Sequence, residues 1–138
     1  MSKTYLAFDY GTRNIGLASG QSVTRTAVER PALKAKDGVP NWQEVEALLK
    51  EWKPDLVIVG LPLNMDDSES ELAARARKFG QRLHGRFGVA VEMVDERLSS
   101  YEAKGEVMAK GGSRDYGKNP VDSIAARLIL ESWFNEQS

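Results

Sequence analysis

The chain is 138 residues long, carries 19 basic and 20 acidic side chains, and has a formal net charge of −1. That length suits one domain, residues 1–138, around one core. A near-neutral balance gives no global argument for a polyanion partner, so any such site has to arise from local clustering. The absence of cysteine excludes disulfides, thiolate metal sites and a cysteine nucleophile, and one histidine, His84, leaves little room for imidazole chemistry. The N-terminus lacks a secretory apolar region, and no run is long enough to span a bilayer, so no membrane partner and a cytoplasmic location are expected.

Tyr5 to Phe8 reads as a buried strand that ends on a carboxylate, Asp9. Gly11 permits a close approach in the turn that follows, and the chain runs back through Ile15 to Ala18 as a second strand. Taken alone, Asp9-Tyr10-Gly11 is an ordinary Asp-x-Gly hairpin turn; beside other acidic groups it is a place to hold a metal or face a phosphate. Gly20 and Gln21 form a tight connection, Ser22 to Arg30 reads as a third strand, and Pro31 to Pro40 as a polar loop.

Asn41, with Glu44 three residues on, opens a first helix as a capping box, and Trp42, Val45, Leu48, Leu49 and Trp52 recur at helical spacing. Pro54 stops it. Leu56 to Val59, ending at Gly60, is a continuous apolar run of the kind found in parallel strands buried on both faces. Gly60 to Asn64 is either a strand-to-helix connector or a loop shaping a substrate cleft, with Asn64 bonding a phosphate or a base. Ser68 with Glu71 predicts a second capping box and a long helix with an apolar stripe at Leu72, Ala76, Phe79 and Leu83. A basic stripe, Arg75, Lys78, Arg82 and Arg86, runs beside it, and such a stripe is more often a solvated face than a binding surface. His84, in this basic stretch, is expected at the surface.

Val89 to Val94 is the next strand, followed by Asp95-Glu96-Arg97. Ser99 with Glu102 predicts a short helix to about Ala109. The glycine-rich stretch from Lys110 to Lys118, with Arg114, is locally basic. Asn119-Pro120 caps a last helix, Val121 to Phe134, apolar around most of its circumference and expected to be largely buried. The fold class that follows is α/β: a mixed five-stranded sheet, an antiparallel meander plus parallel strands, with helices on both faces.

Ligands gather along the edge where parallel strands end. Asp9 ends the first strand, Asp95 and Glu96 the last, and Asp122 lies in the first turn of the final helix, so carboxylates distant in the chain can converge there. Oxygen ligands without cysteine or histidine point to Mg²⁺ or Mn²⁺. Each carboxylate also has a purely structural account: Asp122 favours a helix N-terminus, and Asp95 or Glu96 a solvated strand end paired to Arg97. Side-chain alternation leaves one of Asp95 and Glu96 facing the site without choosing between them.

Asp9-Tyr10-Gly11 with Ile15-Gly16, Val59-Gly60-Leu61-Pro62, Asp95-Glu96-Arg97-Leu98-Ser99 and Val121-Asp122-Ser123-Ile124-Ala125-Ala126 together resemble the YqgF family, also called RuvX, over essentially the whole chain. The resemblance implies a ribonuclease H-like fold related to Holliday junction resolvases, and a role as a nuclease maturing the 5′ end of pre-16S ribosomal RNA. It also implies that Asp9, Glu96 and Asp122 are the catalytic, metal-binding carboxylates, and it is the resemblance that selects Glu96 over Asp95.

Two divalent ions about 4 Å apart would hold nucleophile and leaving group in line, with no protein nucleophile. Arg13 and Arg97, beside that centre, are candidates for phosphate contacts or for salt bridges to the acidic groups. Arg75, Lys78, Arg82, Arg114 and Lys118 are candidates for tracking the flanking backbone, which would make binding salt-dependent. Expected partners are structured RNA such as pre-rRNA, or branched DNA, and ribosomal particles; the expected state is a monomer or weak homodimer. Three rival readings remain: a resolvase of four-way DNA junctions, which needs two active sites and hence a dimer; a non-catalytic ribosome-assembly module that needs no metal; and an actin-like ATPase, whose first phosphate motif Asp9-Tyr10-Gly11-Thr12 resembles but whose second domain this chain is too short to hold.

Overall fold

The computed structural model describes residues 3–61, 70–95 and 121–136. Its elements in chain order are β1 (Thr4–Asp9), β2 (Asn14–Gln21), β3 (Thr26–Lys36), β4 (Val39–Pro40), α1 (Trp42–Trp52), β5 (Leu56–Leu61), α2 (Glu71–Phe87), β6 (Val91–Asp95) and α3 (Val121–Glu136). One sheet carries the strands in the order β4-β3-β2-β1-β5-β6. β1 to β4 pair antiparallel, while β5 lies parallel to β1 and β6 parallel to β5. This is the expected mixed α/β sheet, to which the two-residue β4 adds a sixth strand.

The third strand departs from its sequence-based bounds. Residues 22–25 form a turn closed by Arg25 N–H on the Gln21 carbonyl at 2.9 Å, and β3 instead runs on to Lys36 through most of the expected loop. Pro31 cannot donate to a ladder, but it meets no ladder position here. Leu17 pairs with Arg30 and Ile15 with Leu33, so Pro31 and Ala32 together oppose Gly16 in a β-bulge. Asp37 and Gly38, with φ of 50° and 82°, then make the two-residue turn that matches the twist of a hairpin and returns the chain as β4.

The Asn41 side chain accepts from the Gln43 N–H at 2.9 Å and opens α1; Lys53, left-handed, closes it ahead of Pro54. α2 starts two residues later than the Ser68 capping box implies. Ser70 is the cap, accepting from the Ala73 N–H at 3.0 Å, so Glu71 is the first helical residue rather than the reciprocal partner. Ser68 lies outside the described residues, as do the helix expected from Ser99 and the basic loop up to Lys118.

The strand alternation separates two apolar layers. Leu6 and Phe8 of β1 pack with Val57 and Val59 of β5 against Val45 and Leu49 of α1 and Ala76, Phe79 and Leu83 of α2. Tyr5, Ala7 and Ile58 pack on the other face against Ile129, Leu130, Trp133 and Phe134 of α3. α3 is largely buried, as its apolar circumference predicts. His84 is exposed, with Nδ1 3.0 Å from the Val89 carbonyl oxygen. No helix among the described residues is long and apolar enough to cross a membrane.

Candidate active site

Asp9 is still within the sheet rather than in the turn that follows it: it is the last residue of β1, in register with Gly16 of β2 on one side and Gly60 of β5 on the other. Tyr5 and Ala7 belong to the α3 layer, and Asp9 continues their odd-numbered series. The positions directly beside Asp9 on both adjoining strands are thus glycines, which bring no side chain of their own to this end of the sheet. The turn from Tyr10 to Arg13 is tight, since a Cβ on Gly11 would lie 2.5 Å from the Asn14 carbonyl oxygen.

The N-terminus of α3 is pinned to this edge. Ser123 is fully buried; its Oγ accepts from the Leu17 N–H at 3.2 Å and donates to the Arg30 carbonyl at 2.6 Å. Leu17 and Arg30 are register partners beside the bulge, so the hydroxyl bridges a rung that the bulge has opened. On its other side Leu17 pairs with Phe8, the residue before Asp9. Ser123, the residue after Asp122, therefore ties the start of α3 to β2 and β3 at a rung next to the Asp9–Gly16 pair. An ion pair between Arg127 and Glu29, at 3.4 Å, ties the next turn of the helix to β3.

The third strand end follows the same parity. β6 pairs with β5 so that Val94 opposes Gly60 and Asp95 opposes Leu61. Val94 packs in the α3 layer, and the carboxylate of Glu92 accepts from Trp133 Nε1 of α3, whereas Val91 and Met93 pack in the other layer. Even-numbered positions of β6 thus share the face of Asp9, and Glu96 is the next even number. Glu96 itself lies outside the described residues, as do Asn64, Arg97, Arg114 and Lys118 and the side chain of Asp122. Among the described residues no three acidic, histidine or cysteine side chains form a metal-binding group.

Of the remaining candidates, Arg13 is exposed in the turn after Asp9, where its carbonyl accepts from the Ala35 N–H at 2.8 Å. Arg75 is engaged by the β3–β4 hairpin, donating to the Asp37 carbonyl at 2.6 Å with the Asp37 carboxylate at 3.4 Å. Lys78 and Arg82 line a pocket of 230 Å³ together with Tyr10 and Gly38, on the α1/α2 side of the sheet. The basic stripe is therefore not gathered around Asp9: it belongs to the opposite layer. Residue order alone did not reveal the glycines flanking Asp9, the Ser123 bridge or the hairpin behind Tyr10. The two glycines were visible only as parts of separate motifs, and strand pairing is what brings them together.

Comparison with known proteins agrees with this geometry. The RuvX family, described as Holliday junction resolvase, matches residues 3–136. A protein of Marinobacter nauticus named "Putative pre-16S rRNA nuclease" is 64% identical over 99% of this chain and 96% of its own length. One of the same name from Pasteurella multocida is 58% identical over 99% of this chain and 98% of its own. Among solved structures, Thermus thermophilus RuvC in complex with a Holliday junction substrate superposes with a TM-score of 0.60 at 18% identity, covering 97% of this chain and 95% of that one. The yeast mitochondrial Holliday junction resolvase gives 0.60 at 10% identity, covering 96% and 78%. Those two structures share the fold. The chain belongs to the RuvX family.

Proposed function

We propose that this chain is a metal-dependent phosphodiester hydrolase that trims the 5′ end of precursor 16S ribosomal RNA in the cytoplasm, with Asp9, Glu96 and Asp122 as its catalytic carboxylates. The observation that supports the reading is the Ser123 bridge, which ties the start of α3, next to Asp122 in the chain, to β2 and β3 one rung from the Asp9–Gly16 pair. The relatives' name supplies the substrate class.

The donor chemistry suits Mg²⁺ or Mn²⁺: hard oxygen ligands, no thiolate, and glycines rather than larger residues directly beside Asp9 on both adjoining strands. Such ions, held by Asp9, Glu96 and Asp122, would supply an acidified water and neutralise charge building on the phosphate. The protein's own part is positioning. β1 holds Asp9 within the ladder, so its carboxylate loses little freedom on binding. The even-numbered face of β6 supports Glu96 over Asp95 as the second ligand. Ser123, bonded to two strands, holds the start of α3 in place, and Asp122 is the residue before it. Asp9 is held by backbone pairing on both sides of its strand, the kind of rigid support that in-line attack on a phosphate requires.

The test is cleavage of matched RNA and DNA substrates with and without divalent ion, comparing the wild type with Asp9→Asn. Loss of cleavage with an unchanged melting temperature is the expected result, and full activity in the variant overturns the assignment. A second reading, resolution of four-way DNA junctions, is favoured by the resolvase fold and the family's description. It requires a homodimer with two sites on the junction, so a monomer that cuts RNA but leaves a four-way junction intact excludes it.

A further inference from the structure

On the face of the sheet opposite α3, α2 and the β3–β4 hairpin enclose the 230 Å³ pocket introduced above. Its floor is aromatic: Tyr10 and Phe79 stand with ring centroids 5.3 Å apart, and Trp42 stacks on Phe79 at 5.9 Å. Its rim is charged, with Arg75, Lys78 and Arg82 on one wall and Asp37 on the other. Arg75 and Asp37 are spent on each other, since their contacts hold the hairpin in place. Among the described residues no carboxylate pairs with Lys78 or Arg82, so two cations face the cavity from successive turns of one helix.

We propose that this pocket is a phosphate subsite for the nucleic-acid strand, separate from the carboxylate edge, with Lys78 and Arg82 as its ligands; it rests on the nuclease reading above. Its chemistry is confined to phosphate. An aromatic wall invites stacking of a base, but Trp42 is already engaged by Phe79, stacked at 5.9 Å, and by the Arg86 guanidinium 4.7 Å from its ring centroid. Tyr10 is likewise sealed: it is 6% exposed, and its hydroxyl is used in a 2.7 Å bond to the Gly38 carbonyl. What remains accessible is positive charge on apolar ground, which strengthens a Coulombic contact without reading sequence or sugar.

The pocket also communicates with the catalytic edge. Gly38 donates its N–H to the Thr12 carbonyl at 2.8 Å while accepting from Tyr10, the residue after Asp9. The hairpin that walls the pocket is thus bonded to the turn leaving the Asp9 strand. A strand cut at the α3 side and passing over that turn would place a flanking phosphate here.

The experiment is equilibrium binding of a fluorescein-labelled 20-mer RNA and of the DNA of the same sequence, across a salt series, in Ca²⁺ to suppress cutting. Wild type is compared with Lys78→Ala/Arg82→Ala and with Lys50→Ala, an exposed lysine of α1 outside the pocket. The double variant is expected to bind both strands roughly tenfold more weakly. The slope of log Kd against log salt should fall by about 0.7, one phosphate contact on a single strand. Lys50→Ala should match the wild type. An unchanged slope in the double variant overturns the subsite. So does a loss confined to RNA, which would mean that the pocket reads the sugar. The Asp9→Asn cleavage test judges the nuclease reading separately: a protein that cuts normally but whose double variant binds normally retains that reading and loses this one.

Discussion

Ser123 of α3 donates its hydroxyl to the Arg30 carbonyl of β3 across 2.6 Å, in the middle of a sheet rung where a backbone N–H would ordinarily be the donor. The Leu17 N–H that would have filled that place bonds to the same hydroxyl. A side chain from a helix thus bonds to both partners of one β-rung, next to the bulge at Gly16.

Removing that hydroxyl leaves a buried donor and a buried acceptor without their bridge. Ser123→Ala should cost about 1–3 kcal/mol, lowering the melting temperature by several degrees as read by circular dichroism. If the bridge positions Asp122, the Mg²⁺ concentration for half-maximal cleavage should also rise several-fold. A destabilised variant with an unaltered Mg²⁺ requirement would show that the bridge serves the fold alone.

Continued past Asp95, the alternation of β6 would put Glu96 on the face of Asp9 and Asp95 on the other. Glu96→Gln should abolish cleavage, roughly a thousandfold or more for a lost metal-binding carboxylate, whereas Asp95→Asn should retain most activity. Single-turnover rates on one RNA decide the point, and the reverse pattern would mean that the strand's alternation does not continue past Asp95.

Gly60 lies beside Asp9 in the ladder, and a methyl group there would project on the face that Asp9 shares with α3, into any clearing used by a ligand of Asp9. Gly60→Ala is expected to reduce cleavage at least tenfold, about 1.4 kcal/mol in the barrier, while leaving the melting temperature within a few degrees. Equal activity in the variant would show that the clearing is not used.

The hairpin behind Tyr10 depends on a residue that can hold φ of 82° at Gly38. A Cβ at that position would lie 2.1 Å from Tyr10 Oη, so Gly38→Ala meets both backbone strain and a clash. A destabilisation of about 1–3 kcal/mol is expected, together with weaker RNA binding because the pocket wall moves. Urea denaturation and the same fluorescent RNA measure the two effects.

Phe79, 3% exposed, joins the rings of Phe8, Tyr10 and Trp42 into one cluster beneath that pocket. Phe79→Ala should cost about 3–5 kcal/mol, measured by the same denaturation. A loss under 1 kcal/mol would mean that the cluster collapses to fill the void.

Local chemistry was legible in the amino-acid sequence. The Asn41 cap, the stop at Pro54, the apolar run from Leu56 and the buried character of α3 all follow from residue type and period, because each depends on neighbours a few positions away. The order of the described elements, β4 aside, and Asp9 at a strand end followed in the same manner. Pro31 misled the strand bounds, since nothing nearby in the chain announces that a bulge at Gly16 will relieve it of a missing hydrogen bond. Pairing across the sheet put Gly16 and Gly60 on either side of Asp9, slipped Ser123 between two strands, and turned the basic stripe of α2 away from the carboxylate edge toward the hairpin. Those relationships join residues up to 106 positions apart. They are set by register and by which face a strand buries, quantities that exist only once the chain has closed on itself.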